Sequence, residues 1–364
     1  MLHIALIDDC FPINSRNTKI LNSFANHYKD QVKLSVITWD RNDDYNEAID
    51  GYHVFKKRSA YGHKALKLLN LWSYRKFCRQ SISHLHPDVI IASHWNNLLI
   101  VPKLDPRKQM LIYENLDMPN GFSPLRKAIR FCEHKKMKQV SLTIHASRFF
   151  EQFFPASFPQ IVLENKPTVK KYEENSAYET HTPIRIAFIG LLRHVDILKN
   201  LIDAIRNDER FHLYLHGDGH ARKALEEYAK DEQNVTFTGR YKYDDVACLY
   251  NQSDVIWAAY PNKDFNVKYA ISNKFHESLM FGIPTIYAES TCLGDFVEQK
   301  HIGLTVNPYS VESIKSLLQY ITNHHDDLGK MSENMIAFHH QQSSWDEDFK
   351  YVIEQIDSFF HKKD

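Results

Sequence analysis

No stretch of this sequence stays apolar for the roughly 20 residues that a membrane-spanning helix needs, which excludes a helical span. The opening MLHIALIDDC lacks the basic region and long apolar run of a secretory leader and reads instead as a first strand. The cysteines (Cys10, Cys78, Cys132, Cys248 and Cys292) are scattered, odd in number and without a CxxC pair, so a reduced, cytoplasmic chain is expected. Net charge is absent as well: 45 Lys and Arg face 45 Asp and Glu, and nothing global selects nucleic acid or another polyanion. Among 21 histidines there is no HExxH. The adjacent pairs His324–His325 and His339–His340 cannot share one helix face, so no metal site is expected there. None of the paired acids that invite a metal reading is a DxD. The paired acids Asp8–Asp9, Asp43–Asp44 and Asp244–Asp245 read as strand-end, loop and turn residues. Sequence repeats and low-complexity tracts are missing too.

What is present is a chain of 364 residues, long enough for two domains, with 43% apolar residues to build their cores. Short apolar runs ending in polar residues recur: HIALID, KLSVITW, PDVIIAS (87–93), QMLIYEN (109–115), LTIHAS (142–147) and QIVLEN (160–165). Such runs suit parallel strands buried on both faces, with active residues at their C-terminal ends. The pattern breaks at KPTVKKYEENSAYETHTP, which is polar, charged and bounded by prolines. It then resumes with IRIAFIG (184–190), a helix over 196–206, FHLYLHG (211–217), a helix over 220–231, NVTFTG (234–239), DVIWAAY (254–260) and PTIYAES (284–290). The expectation is an α/β chain of two doubly wound domains, 1–168 and 184–340, joined by a linker over 169–183. A helical tail over 341–364 has an amphipathic pattern that suits packing against either domain, including back on the first.

The segment SNKFHESLMFGIPTI (272–286) carries the most chemistry. Ser272 is a good N-cap, and Gly282 followed by Pro284 is a stop, so Asn273, Lys274 and Glu277 occupy the first turns of a short helix. Lys274 and Glu277 are spaced i, i+3 and share a face. A lysine beside free N–H groups at a helix start makes a phosphate site, and a carboxylate one turn on accepts from sugar hydroxyls. A surface ion pair between the two is the alternative. Upstream, IGLLRHVDILKN places Gly190 at a strand end, Arg193 in the loop, Asp196 as a cap and Lys199 in the helix. There Gly190 admits a close ligand and Arg193 offers a forked phosphate donor. LHGDGH turns on Gly217, and FTGRYKYDDV puts Gly239 and Arg240 at a third strand end. All of these also occur as structural turns.

Taken in order, IGLLR, HGDG, VTFTG and HESLMFGIPTI resemble the donor domain of GT-B glycosyltransferases of the family 4 type, and TCLGDFVEQKHIGLTVNP (291–308) is similar to its ending. The NKxxE arrangement is similar to that of bacterial polysaccharide enzymes that use a lysine for the diphosphate. The resemblance covers about 184–335 well and the first half loosely. It implies GT-B architecture, two Rossmann-like domains facing a cleft, and transfer of a hexose from a nucleoside diphosphate sugar, UDP foremost, with retention of configuration. The acceptor would be a glycan or lipid-linked hydroxyl in surface polysaccharide synthesis, with no other cofactor and no metal. Arg193, Lys274 and Lys199 would neutralise the diphosphate, Glu277 would hold the ribose, and the backbone near Arg240 would face the base. Gly190, Gly217 and Asn273 complete the implied donor site. One departure is Tyr269, where the family usually has a second glutamate; Asp264 or Asn266 are the candidates to replace it.

On the acceptor side LIYENLDMPNGF resembles the family's Y-E-x-H-D segment, giving Glu114 and Asp117, with His94 and Asn96 of SHWNN on the neighbouring strand end. Asp117 would be a base if the reaction inverts and an orienting group if it retains, the alternative being a plain loop or N-cap carboxylate. Between Ala60 and Val140 there are 14 Lys and Arg against 5 Asp and Glu, mostly on helices over 63–80 and 124–139 that interleave basic and apolar residues. That makeup fits a peripheral position on an anionic membrane surface, the alternative being an ordinary solvated face. The rival readings for the whole chain are a non-catalytic binding subunit with this fold and a sugar-nucleotide epimerase.

Overall fold

A computed structural model describes residues 1–42, 48–58, 64–119, 123–168 and 178–361, with 64–69 described by backbone alone. The acids Asp43–Asp44, and linker residues 169–177, lie outside the described residues. The chain divides into two units, residues 1–165 with 345–364, and residues 166–344.

In the first unit the order is β1 (Leu2–Asp8), α1 (Ser15–Tyr28), β2 (Val32–Asp40), β3 (Tyr52–Lys56), α2 (Lys64–Leu85), β4 (Val89–Ser93), α3 (Trp95–Ile100), β5 (Met110–Asn115), α4 (Ser123–Met137), β6 (Leu142–His145) and β7 (Gln160–Val162). The strands form one parallel sheet in the order β3-β2-β1-β4-β5-β6-β7, which reverses direction of growth between β1 and β4. Strands β4 and β5 are buried at every position, the burial on both faces that a continuous apolar run predicts. Strand β3 is not among the apolar runs of the sequence. Its residues, Tyr-His-Val-Phe-Lys, are only half-buried at the sheet edge and so make no apolar run.

In the second unit the order is β8 (Ile184–Ile189), α5 (Val195–Ile205), β9 (Phe211–His216), α6 (Arg222–Tyr228), β10 (Val235–Gly239), α7 (Val246–Asn251), β11 (Val255–Ala258), α8 (Asn273–Phe281), β12 (Thr285–Ala288), α9 (Cys292–Lys300), β13 (Leu304–Val306), α10 (Val311–Asn323) and α11 (His325–His340). The parallel sheet runs β10-β9-β8-β11-β12-β13, with its switch point between β8 and β11. Helix α5 buries Ile197, Leu198, Leu201, Ile202 and Ile205 against the sheet, one stripe of a 3.6-residue period. It starts one residue earlier than expected, and His194 rather than Asp196 takes the N-cap position. The predicted helix over 220–231 is shorter, Arg222–Tyr228.

Residues 178–183 hold to this unit. The Tyr178 hydroxyl donates to the Asp254 carbonyl at 2.7 Å, and His181 Nδ1 lies 2.7 Å from the Asp254 carboxylate. The last helix, α12 (Trp345–His361), belongs to the first unit, where Trp345, Phe349, Val352, Ile353 and Ile356 join the core beside Phe24.

Candidate functional site

In the second unit the site assembles at the C-terminal ends of β8, β9 and β10, next to the switch point, where open parallel sheets leave a crevice for a ligand. Three glycines stand side by side there. The Gly190 N–H donates to the His216 carbonyl and the Gly217 N–H to the Gly239 carbonyl, both at 2.8 Å. Gly217 has φ +135°, and a Cβ on it would lie 1.9 Å from the Gly190 carbonyl oxygen, so no side chain fits. Gly190, at φ +145°, leaves its missing side chain's space to Lys274, whose Nζ would be 2.9 Å from a Cβ there. A pocket of about 550 Å³ opens over these turns, its wall including Gly190, Gly217, Asp218, Arg240 and Tyr241.

Lys274 decides between the two readings of SNKFHES. It is only 7% exposed, lies over the Phe188 ring at 4.9 Å and donates to the Tyr260 hydroxyl at 2.9 Å. It forms no ion pair among the described residues. Glu277 accepts instead from the Tyr250 hydroxyl at 2.9 Å. The surface ion pair is therefore not what forms. A buried ammonium without a carboxylate is costly, and an anionic ligand is the natural compensation. The start of α8 adds to this. Ser272 sits at the N-cap, but its side chain makes no capping bond and its buried Oγ has no partner among the described residues. First-turn N–H groups without a side-chain cap suit a phosphate.

Around Glu277 the environment is tyrosine-rich. Burial, with the Glu277 carboxylate second, pushes the Tyr241 hydroxyl up to about 12 and raises Tyr243 as well. Tyr250 is fully buried and raised further for the same two reasons. All three stay neutral hydroxyls, able to donate.

Arg193 is exposed in the loop after β8 and makes no ion pair among the described residues. Its neighbour His194 packs edge-on to Tyr260 at 5.8 Å, and burial first, then Arg193, lowers its pKa. Arg240, 86% exposed, bridges to Asp218 at 3.0 Å across the pocket mouth. Lys199 does not join the group: its Nζ lies 4.4 Å from the Tyr228 ring centroid, at the last residue of α6. Helix geometry explains the difference, since the second turn of α5 already faces α6 rather than the strand ends. Asn273 is exposed in the first turn of α8. Tyr269 packs on Phe265 at 5.2 Å. Asp264 Oδ1 accepts from the N–H groups of Asn266 and Val267 and so holds the turn of its own loop.

In the first unit His94 and Asp117 come together, with Nδ1 3.7 Å from Oδ2, at the ends of β4 and β5. His94 takes φ +69°, an uncommon backbone for a non-glycine residue. Asn96 is half-buried in α3, while its neighbour Asn97 bonds back to the Ser93 carbonyl at 2.6 Å. Glu114 is fully buried and accepts from Arg16 Nε at 2.8 Å, so it faces inward rather than an acceptor. Asp8 is buried too. Desolvation, only partly offset by the Asn17 side chain that donates to it at 2.7 Å, raises it to about 6. Asp9 pairs with Arg41, and Asp244–Asp245 lie in a one-turn 3₁₀ segment. Among the described residues no group of three or more His, Cys, Asp or Glu is arranged to hold a metal ion.

Two residues that matter here were missed in the sequence: Tyr260 and Tyr250. Tyr260 ends DVIWAAY, and its place just past β11, beside the switch point, was the available signal. Tyr250 lies on a short helix and carried none.

Two parallel Rossmann-like sheets, the second with a glycine-lined crevice beside Lys274, are the fold of the GT-B type. Residues 183–323, within the second unit, match the family model for glycosyl transferases group 1. It is 26% identical over 322 residues to the succinoglycan biosynthesis protein ExoL of Rhizobium meliloti (strain 1021), covering 80% of this chain and 78% of that one. Among solved structures, sucrose-phosphate synthase from Thermosynechococcus elongatus superposes with TM-score 0.76 at 12% identity, covering both chains fully. Anabaena HepE, solved in complex with UDP-glucose, gives 0.68 at 16% identity over 98% of this chain and 100% of its own. The family match favours sugar transfer over a binding subunit or an epimerase. Among the described residues no helix is long and apolar enough to cross a membrane.

Proposed function

We propose that this protein is a glycosyltransferase that moves a hexose from a UDP-sugar to a hydroxyl of a glycan or lipid-linked acceptor in surface polysaccharide synthesis, without a metal ion. The observation that carries the donor assignment is Lys274, buried without a carboxylate beside Gly190. Its charge, the exposed Arg193 and the uncapped start of α8 supply the positive field that a departing diphosphate needs. Glu277 then accepts from the ribose hydroxyls, and Tyr241 with Arg240 flanks the base. That HepE was solved with UDP and with UDP-glucose, and that ExoL is a succinoglycan biosynthesis protein, support the choice of UDP and of polysaccharide as product class. Retention of configuration is assigned on the likeness to the family 4 type. Asp117, oriented by His94, then positions the acceptor hydroxyl rather than taking its proton. The test is release of UDP from a panel of UDP-sugars with and without EDTA, with the product anomer read by NMR. Equal turnover under both conditions is expected. A strict need for Mg²⁺ or Mn²⁺ would remove the metal-free mechanism, and an inverted product would return Asp117 to the role of base.

The acceptor end of the reaction is proposed to lie at an anionic membrane surface. Helices α2 and α4 both pack against α3 and leave Trp72 (68%), Phe131 (71%) and Leu125 (46%) exposed among Arg75, Lys76, Arg79, Lys127 and Lys135. Their basic ends lie close: burial, followed by Arg79 and Arg75, lowers Lys136 to about 8. Aromatic residues ringed by cations suit the headgroup region of a bilayer. Vesicles with anionic lipid should co-sediment the protein, zwitterionic vesicles should not, and the double substitution Trp72→Ala, Phe131→Ala should weaken sedimentation about tenfold or more. Binding that ignores anionic lipid content would defeat the proposal.

A further inference from the structure

We infer that Tyr260 and Tyr250 are positioning residues that hold Lys274 and Glu277 apart, so that each keeps an uncancelled charge for the donor. The two charged residues stand i, i+3 on α8, a spacing at which an ammonium and a carboxylate ordinarily pair with each other. Here they do not. The ammonium is held at 2.9 Å by Tyr260, from the end of β11, and the carboxylate at 2.9 Å by Tyr250, from α7. Both partners are neutral, so each bond fixes a position without cancelling a charge. A lysine tied to a glutamate would present diphosphate and ribose with a neutral pair, which attracts neither.

Each tyrosine is itself held. Tyr250 is fully buried and stacks on Phe281 at 4.8 Å, so its hydroxyl is aimed by packing. Tyr260 meets the His194 ring edge-on at 5.8 Å and lies under the Lys274 ammonium, which is 5.6 Å from its ring centroid. The open space at Gly190 lets the lysine extend towards Tyr260 and away from Glu277. Separation is thus a product of three elements that the sequence does not place together.

The inference rests on the nucleoside diphosphate reading for its purpose, but its test does not. In ligand-free protein, Lys274→Met and Glu277→Gln should shift the unfolding midpoint additively, because the two side chains do not interact. In the Tyr250→Phe, Tyr260→Phe background the same two substitutions should become non-additive, because the freed charges then pair. Additivity in both backgrounds, or coupling already present in the wild type, overturns the inference. Ligand binding supplies the second measurement. Tyr260→Phe should weaken UDP about tenfold while leaving uridine nearly unchanged, and should cost much less in a Glu277→Gln background. An equal loss for UDP and uridine would mark Tyr260 as merely structural and count against the inference. Wild-type protein that binds no UDP defeats the donor reading instead, while the midpoint cycle still judges the tyrosines.

Discussion

Lys274→Met is expected to lower kcat/KM by about 10²–10³-fold, the usual effect of removing one preorganised group that stabilises developing charge. Methionine keeps most of the stem that fills the space beside Phe188 and removes only the ammonium. In the same variant the unfolding midpoint of the ligand-free protein should stay level or rise. Lys274 is 7% exposed, and among the described residues its ammonium has a single hydroxyl, that of Tyr260, as its hydrogen-bond partner. Burying a charge opposes folding unless it is fully compensated, and one neutral hydroxyl compensates it only in part. A residue that hinders stability yet is required for turnover is one that serves a ligand. If Lys274→Met lowered the midpoint sharply and left kcat/KM unchanged, Lys274 would be a structural residue and the donor assignment would fall. Steady-state kinetics and calorimetry on one preparation give both numbers.

Trp345→Ala is expected to destabilise the first unit by about 3–5 kcal/mol, the range for removing a large aromatic from a core. Its indole is 1% exposed, stacks on Phe349 at 5.9 Å and donates through Nε1 to the Ser23 hydroxyl at 2.9 Å. Lys19 sits 3.8 Å above the ring. The substitution therefore removes apolar burial, a hydrogen bond and a cation–π contact at the point where α12 begins to pack on α1. Thermal unfolding should start roughly 10 °C lower, since about 2–4 °C follow each kcal/mol in a domain of this size. Tyr351→Ala, on the exposed side of the same helix at 61% exposure, is the matched control and should leave the midpoint unchanged. Equal midpoints for the two variants would mean that α12 contributes nothing to the first unit.

The strands that place the site were legible because they are buried on both faces. VIIAS and LIYEN can only be apolar runs with polar ends, and they form β4 and β5. The edge strand β3 was not, because half-buried residues mix Tyr, His and Lys with Val and Phe and leave no run to see. Helix α5 was legible from its stripe, but its start was not: Asp196 is the better capping residue by type, yet the chain enters the helix through His194. The family resemblance places Lys199 at the donor diphosphate, close along the chain to Arg193. Proximity along a helix rotates by about 100° per residue, and that rotation carries its side chain to Tyr228. Glu114 ends its strand as expected, but alternation along β5 turns it towards Arg16 inside the unit.

By itself the sequence determined the α/β class, the two sheets and the short helix that bears Lys274 and Glu277, because these follow from local patterns of burial, capping and glycine. It left open whether those two charges pair with each other or stay apart, since spacing on one helix permits both. Tertiary structure alone decided that. The hydroxyls of Tyr260 and Tyr250, which arrive from β11 and α7, take the ammonium and the carboxylate separately. Partners drawn from distant parts of the chain have no signature in a local pattern, and only the packed sheet and its helices bring them within hydrogen-bond distance.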